Sequence, residues 1–194
     1  QIESVTLVDL DSAMTGLFAS SPPLRKLNQD ALRSPKVTVI NADALQWLED
    51  NDDTFDFVVV DFPDPSNFSL GKLYSAAFYR LLDKHLNGDA LAVIQSTSPL
   101  YARQSFWCIV TTLESVGLIT APYHALVPSF GEWGFVLAGR RTYRPPRAYA
   151  VDTRFLNAAT TPGLFVFPAD MARLEAEVNQ LNNQVLVRYF EHEW

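Results

Sequence analysis

Cysteine is nearly absent: Cys108 stands alone among 194 residues, which excludes an internal disulfide and a cysteine-built zinc site and fits a reduced, cytoplasmic setting. Long hydrophobic runs are missing as well. No uninterrupted apolar stretch approaches the ~20 residues needed to span a bilayer, and the first residues lack the basic flank and apolar stretch of a signal peptide. The chain as given is therefore expected to be soluble. Positive charge is in deficit, with 15 Lys and Arg against 22 Asp and Glu for a formal net charge of -7. The acids are scattered among the bases, so no face is built to neutralise a phosphate backbone and nucleic acid is not an expected partner. Such a field attracts small cations instead. The three histidines, His85, His124 and His192, share no metal-ligand spacing and are given no role.

The apolar residues that are present follow an alternating order. Hydrophobic residues make up 48% of the chain and charged ones 19%, a balance that folds rather than stays disordered, and the length suits one α/β domain with a tail. The runs QIESVTLVDL (1–10), VTVIN (37–41) and FDFVVVD (55–61) predict strands, near-continuously apolar as in a parallel sheet covered on both faces. Helices are expected between them, around 13–32 and 44–49. The spacing over 74–85 predicts a helix stopped by Asn87 and Gly88, followed by a strand in ALAVIQS (90–96) and a helix over 101–116. Strands at 123–127 and 133–139 should pair as an antiparallel hairpin at the sheet edge. RRTYRPPR (140–147) then marks a proline-interrupted linker. The expected division is a domain over 1–140 and a linker with a C-terminal helical tail over 141–194. The tail helix would begin after Pro168, capped by Asp170, with Leu174, Val178, Leu181, Val185 and Leu186 as its apolar stripe.

In open α/β sheets ligands sit outside the carboxyl ends of the strands, and four motifs fall there. In VDLD, Asp9 can accept both ribose hydroxyls of a nucleoside, or be a solvated or helix-capping residue; Asp11 suits a cap. In NADA, Asp43 can accept the exocyclic amine of adenine or cap the helix that begins at Ala44. VVVDFPDP carries the most chemistry, because Asp61 and Asp64 flank an apolar-proline turn directly after a strand. A carboxylate beside an amine holds the ammonium form, orients it, and accepts the proton it must lose before its lone pair can attack an electrophile. A diamine wants at least two such acids. Magnesium coordination and an ordinary solvated turn are the competing uses. In VIQSTSP, Gln95 ends a strand with an amide able to donate or accept. Trp133, within FGEWGF, is placed to border the same pocket.

Taken in order, VTLVDLD, INADALQWLE, FDFVVVDFPDP, LYSAAFYRLL and VIQSTSP resemble the spermidine and spermine synthase family over residues 5 to about 139. The DxxDP turn separates that family from methyltransferases with the same sheet. FGEWGFVLAGRR and LNNQVLVRYFEHEW are similar to the cytoplasmic domain of bacterial membrane-integrated spermidine synthase-like proteins. The resemblance implies a Rossmann-like fold of the SAM-dependent transferase kind, mostly parallel with an antiparallel edge hairpin. It implies aminopropyl transfer from decarboxylated S-adenosylmethionine to a polyamine such as putrescine, with methylthioadenosine leaving and no metal. Asp9 would bind the ribose, Asp43 with the Ala44 backbone the adenine, Asp61 would be the catalytic base and amine orienter, and Asp64 with Gln95 would hold the diamine.

The resemblance also implies what would lie ahead of Gln1: a first strand, a GGGDG-type loop, an upstream β-rich segment and a membrane-spanning region. On that expectation the chain is a fragment inactive by itself, whose parent sits in the inner membrane with this domain in the cytoplasm. A central strand would be missing between those ending at Asp9 and Asp61, leaving the sheet to close up or to pair with another chain as a homo-oligomer. The family's TYPxG-like turn is replaced by VPSFG, with Phe130 or Pro128 nearest its tyrosine. Two further readings stand beside this one: a methyltransferase using intact S-adenosylmethionine, and a non-catalytic polyamine-sensing or assembly domain.

Overall fold

In the computed structural model, which describes residues 2–194, the first apolar run forms strand β1 (Val5–Asp9) and the second forms β2 (Val37–Asn41). Gln1, included in the expected first strand, lies outside the described residues. The two strands pair in parallel, from Val5 opposite Val37 to Asp9 opposite Asn41. Asp11 caps helix α1 (Ser12–Ser20) by accepting from the Ala13 and Met14 amides. The long helix expected over 13–32 is broken: α1 ends at Ser20, α2 (Pro22–Leu27) follows, and a single turn of 3-10 helix spans Ala31–Arg33. Pro22 and Pro23 are the cause, because proline disfavours helical backbone in the residue before it and lacks the amide that would continue the ladder, while fitting the first turn of a new helix. Helix α3 (Ala44–Asp50) follows β2. These elements form one compact unit, ending at Asp52.

The second unit, Asp53–Trp194, contains a sheet in the order β3-β4-β6-β5. Strand β3 (Phe55–Val60) pairs in parallel with β4 (Leu86–Gln95). Strand β6 (Gly131–Gly139) lies antiparallel to both β4 and β5 (Ile119–Val127), so the expected hairpin is present at the edge. Asn87 and Gly88 do not stand outside a strand as expected. They sit within β4, where the register jumps between Leu86 opposite Phe55 and Leu91 opposite Phe57, a bulge that absorbs the extra residues. Nor is β3 covered on both faces: Phe57 is 57% and Val59 63% exposed. The strands form two sheets rather than one, and among the described residues β1 pairs only with β2 and β3 only with β4.

Between β3 and β4 run α4 (Phe68–Gly71), a 3-10 turn at Lys72–Tyr74, and α5 (Ala76–Lys84), whose cap is Ser75 accepting from the Phe78 amide. Helix α6 (Arg103–Ser115) crosses to β5 with Phe106, Ile109, Val110 and Leu113 wholly buried. The helix expected from Asp170 onward is not there. Residues 173–180 run without regular structure, and the final helix is α7 (Val185–Glu193).

Side chains of α6 explain the difference, since they satisfy the backbone that a helix would have satisfied internally. Arg103 Nε donates to Ala172 O, Trp107 Nε1 to Met171 O, and Cys108 Sγ to Glu177 O. Asn179 is the anchor. Wholly buried, it donates its amide to Thr112 Oγ1 at 2.9 Å, its side-chain nitrogen to Gly71 O and Tyr74 O, and accepts from Leu186 N and Ala76 N. In return, Glu193 of α7 accepts from the Gln104 and Ser105 amides at the start of α6. Asn179→Ala strands several of these groups in the core, and is expected to lower stability by about 2 kcal/mol or more. A shift of the urea unfolding midpoint measures it.

Candidate active site

Parallel pairing brings the ends of β3 and β4 together, the last matched pair being Val60 and Ile94. Asp61 and Gln95 therefore leave neighbouring strands at the same carboxyl end, where ligands of such sheets bind. The turn that follows β3 is stiffened by Pro63 and Pro65, whose rings fix φ. Asp61 is exposed, and Asp64 is partly buried. Gln95 Nε2 donates to Asp64 Oδ1 at 3.2 Å, so two of the expected site residues meet directly. Burial pushes the Asp64 carboxyl above the usual carboxylate range, with Gln95 and Thr97 pulling it partly back.

Two residues to which the sequence assigns no role, Tyr74 in LYSAAFYRLL and Thr97 in VIQSTSP, complete this corner. Tyr74, wholly buried, places its hydroxyl 3.1 Å from the carbonyl oxygens of both Phe62 and Pro63 and 3.2 Å from Gln95 Oε1. In the sequence it is one more apolar-spaced aromatic ahead of a helix. Thr97 is wholly buried and left-handed, with φ 58, a rare backbone for a β-branched residue. Its hydroxyl is close enough to lower the Asp64 carboxyl yet makes no hydrogen bond among the described residues. Thr97 is held by β6: Gly134 donates its amide to Thr97 O at 2.7 Å, and a Cβ on Gly134 would stand 2.5 Å from the Phe106 ring and 2.8 Å from Thr97 O. Only glycine fits there.

The hairpin turn lies beyond the same end of the sheet, since β5 runs on from Tyr123, level with Gln95 across Phe135, to Val127. Phe130 in that turn is 61% exposed and its ring centre is 5.2 Å from that of Trp133.

The remaining expected residues belong to the first unit, at the carboxyl ends of β1 and β2. Asp9 Oδ1 accepts from the Asp11 amide at 2.7 Å, and Asp9 O accepts from Asn41 Nδ2 and Ala42 N. Asp43 Oδ1 accepts from the Leu45 and Gln46 amides, which makes it the cap of α3, with Ala44 as the first helical residue. Capping is thus realised at Asp43, while Asp9 braces the turn ahead of α1, whose cap is Asp11. Among the described residues no group of three or more His, Cys, Asp and Glu could hold a metal ion, and no helix is long and apolar enough to cross a membrane.

The family model for the spermine/spermidine synthase domain matches residues 1–145. The chain belongs to that family. Along its whole length it is 59% identical to polyamine aminopropyltransferase 2 of Ralstonia nicotianae, covering 38% of that protein, and 54% identical to the polyamine aminopropyltransferase of Leptospira interrogans, covering 39%. The chain therefore spans about two fifths of the length of these curated relatives. Among solved structures it is similar to the spermidine synthase of Thermotoga maritima, with a TM-score of 0.70 at 17% identity over 86% of this chain and 58% of the other. It is equally similar, with a TM-score of 0.70 at 20% identity, to a spermidine synthase in complex with the transition state analogue AdoDATO, over 86% of this chain and 59% of the other. The expected fold class, Rossmann-like α/β of the methyltransferase type, is thereby established.

The raised Asp64 carboxyl has a consequence for stability. A group whose folded value lies above its unfolded one favours folding while protonated, and that contribution is lost as pH rises through the folded value. Ionised Asp64 is thus a cost near neutrality. Asp64→Asn is expected to be more stable than wild type at pH 7, with the advantage gone below about pH 4, where the unfolded carboxyl is also protonated. Urea unfolding at the two pH values checks it.

Proposed function

We propose that the protein is an aminopropyltransferase that moves the aminopropyl group of decarboxylated S-adenosylmethionine to an amine of a small polyamine such as putrescine. The observation that carries this reading is the acidic turn at the end of β3, with exposed Asp61 and partly buried Asp64, the latter bonded to Gln95 from the end of β4. Family membership and the polyamine aminopropyltransferases that share its sequence support the same chemistry.

In this reading Asp61 receives the ammonium group of the acceptor and takes one of its protons. The freed lone pair attacks the aminopropyl carbon bound to the sulfonium. The carbon–sulfur bond breaks with its electrons going to sulfur, so methylthioadenosine leaves as a neutral thioether and the positive charge passes to nitrogen, which keeps the aminopropyl group as a secondary ammonium. Asp64, with Gln95, holds the acceptor. Asp9 accepts the ribose hydroxyls, and Asp43 with the Ala44 amide reads the adenine edge. A local backbone amide engages Oδ1 in each case, Asp11 N at Asp9 and Leu45 N at Asp43, and a carboxylate with two oxygens and several lone pairs can serve such a bond and a ligand together. The net charge of -7 favours a cationic acceptor.

The test is methylthioadenosine release by the full-length protein supplied with decarboxylated S-adenosylmethionine and putrescine. Asp61→Asn is expected to cut kcat by about 10²-fold or more, the usual worth of a positioned base, with the unfolding midpoint preserved. Methylation of the amine from intact S-adenosylmethionine, or full activity in Asp61→Asn, would overturn the assignment.

A further inference from the structure

We propose that Tyr74 is a positioning residue for the acidic turn: its hydroxyl ties the peptide carbonyls lying between Asp61 and Asp64 to the amide that ends β4. The inference rests on the amine-handling reading above. Phe62 and Pro63 are the residues that separate the two acids, and both of their carbonyl oxygens stand 3.1 Å from the phenolic oxygen. Fixing those carbonyls fixes where both carboxyl groups leave the turn. The Tyr74 ring cannot drift, since it is wholly buried and packs edge-on against Phe62 with centres 6.3 Å apart.

The third contact sets a direction. All three neighbours of the hydroxyl are acceptors, so Tyr74 serves as a donor, to one of them at a time. Burial, with Asp64 and Asp61 nearby, holds its ionisation far above the ordinary tyrosine range, so the proton stays in place at any working pH. With Gln95 Oε1 3.2 Å from this donor, the Gln95 amide turns its nitrogen to Asp64 Oδ1, also at 3.2 Å. The reversed amide would set an oxygen against the carboxylate. Gln95 is in this way fixed as the donor that holds Asp64, and Tyr74 is what fixes it.

The same core supplies a control. Tyr79 is also wholly buried, yet among the described residues its hydroxyl has no hydrogen-bond partner. Tyr74→Phe and Tyr79→Phe each remove one buried hydroxyl from neighbouring aromatic rings, and only the first touches the turn.

In the full-length protein, Tyr74→Phe is expected to raise KM for the amine about tenfold, as loosened substrate positioning does, while KM for decarboxylated S-adenosylmethionine stays put. Tyr79→Phe should leave both unchanged. A purely structural role would shrink the active fraction and lower the apparent kcat without moving either KM, so an unchanged amine KM in Tyr74→Phe overturns the proposal. On the 194-residue chain, carbon-13 NMR of the aspartate carboxyls gives an independent reading. The Asp64 midpoint is expected to rise in Tyr74→Phe, where its donor is loosened, and to hold in Tyr79→Phe; no rise in the former overturns the proposal. If the wild-type protein transfers no aminopropyl group, the functional reading fails while this titration still decides the role of Tyr74. Should Tyr74→Phe not fold, 3-fluorotyrosine at that position keeps the shape with a stronger donor. It should then move the Asp64 midpoint down by strengthening the chain of hydrogen bonds through Gln95; no movement counts against the proposal.

Discussion

The second unit depends on one buried amide. Asn179 joins four separate stretches of chain: the end of α4, the Tyr74–Ala76 entry to α5, Thr112 in α6, and Leu186 in α7. Polar groups such as these are costly if left unpaired in the core, and one residue answers them all: its backbone N–H and side-chain NH2 donate, and its backbone and side-chain carbonyl oxygens accept. Because Asn179 Nδ2 bonds the Tyr74 carbonyl, the same network sets the tyrosine whose hydroxyl reaches the Phe62 and Pro63 carbonyls and Gln95. The path from scaffold to acidic turn is therefore short and made of direct bonds.

The turn offers two acids in unequal surroundings. Asp61 is open to solvent, while Asp64 is partly withdrawn and its carboxyl is raised by that withdrawal. Here the surroundings suit the proposed chemistry: an exposed carboxylate beside the reacting nitrogen, and a held one, bonded to Gln95, that grips the acceptor. Thr97 adds stored strain at the same corner, a left-handed β-branched residue kept in place by the Gly134 amide. Such outliers persist only where the surrounding structure over-determines them.

Much of this was legible in the sequence, for identifiable reasons. Four of the six described strands announce themselves through β-branched apolar runs, and the acidic turn through two aspartates bracketing a proline after one of them. The hairpin followed from the closeness of its two runs. What failed depended on distant partners. Pro22 and Pro23 divide the helix expected over 13–32. The stripe from Leu174 to Leu186 has helical spacing, but its backbone finds α6 side chains instead, which no local pattern reveals. The apolar character of β3 suggested cover on both faces, although Phe57 and Val59 remain exposed. Tyr74 was unreadable because an aromatic at a helix entrance looks the same whether its hydroxyl meets three oxygens or, as in Tyr79, none. Asp9 and Asp43 stayed ambiguous because capping and ligand binding ask for the same residue at the same place.

The Asn179 anchor also imposes an order in time. Its bonds to Gly71 O and Tyr74 O span 108 and 105 residues, and contacts of such sequence separation form late, after the entropy of closing a long loop has been met. On the ribosome, strand β3 and its acidic turn emerge long before the residue that braces Tyr74 has been translated. The turn can exist from the outset as a local proline-stiffened bend, but its final geometry is a product of long-range closure and should mature last, together with the core.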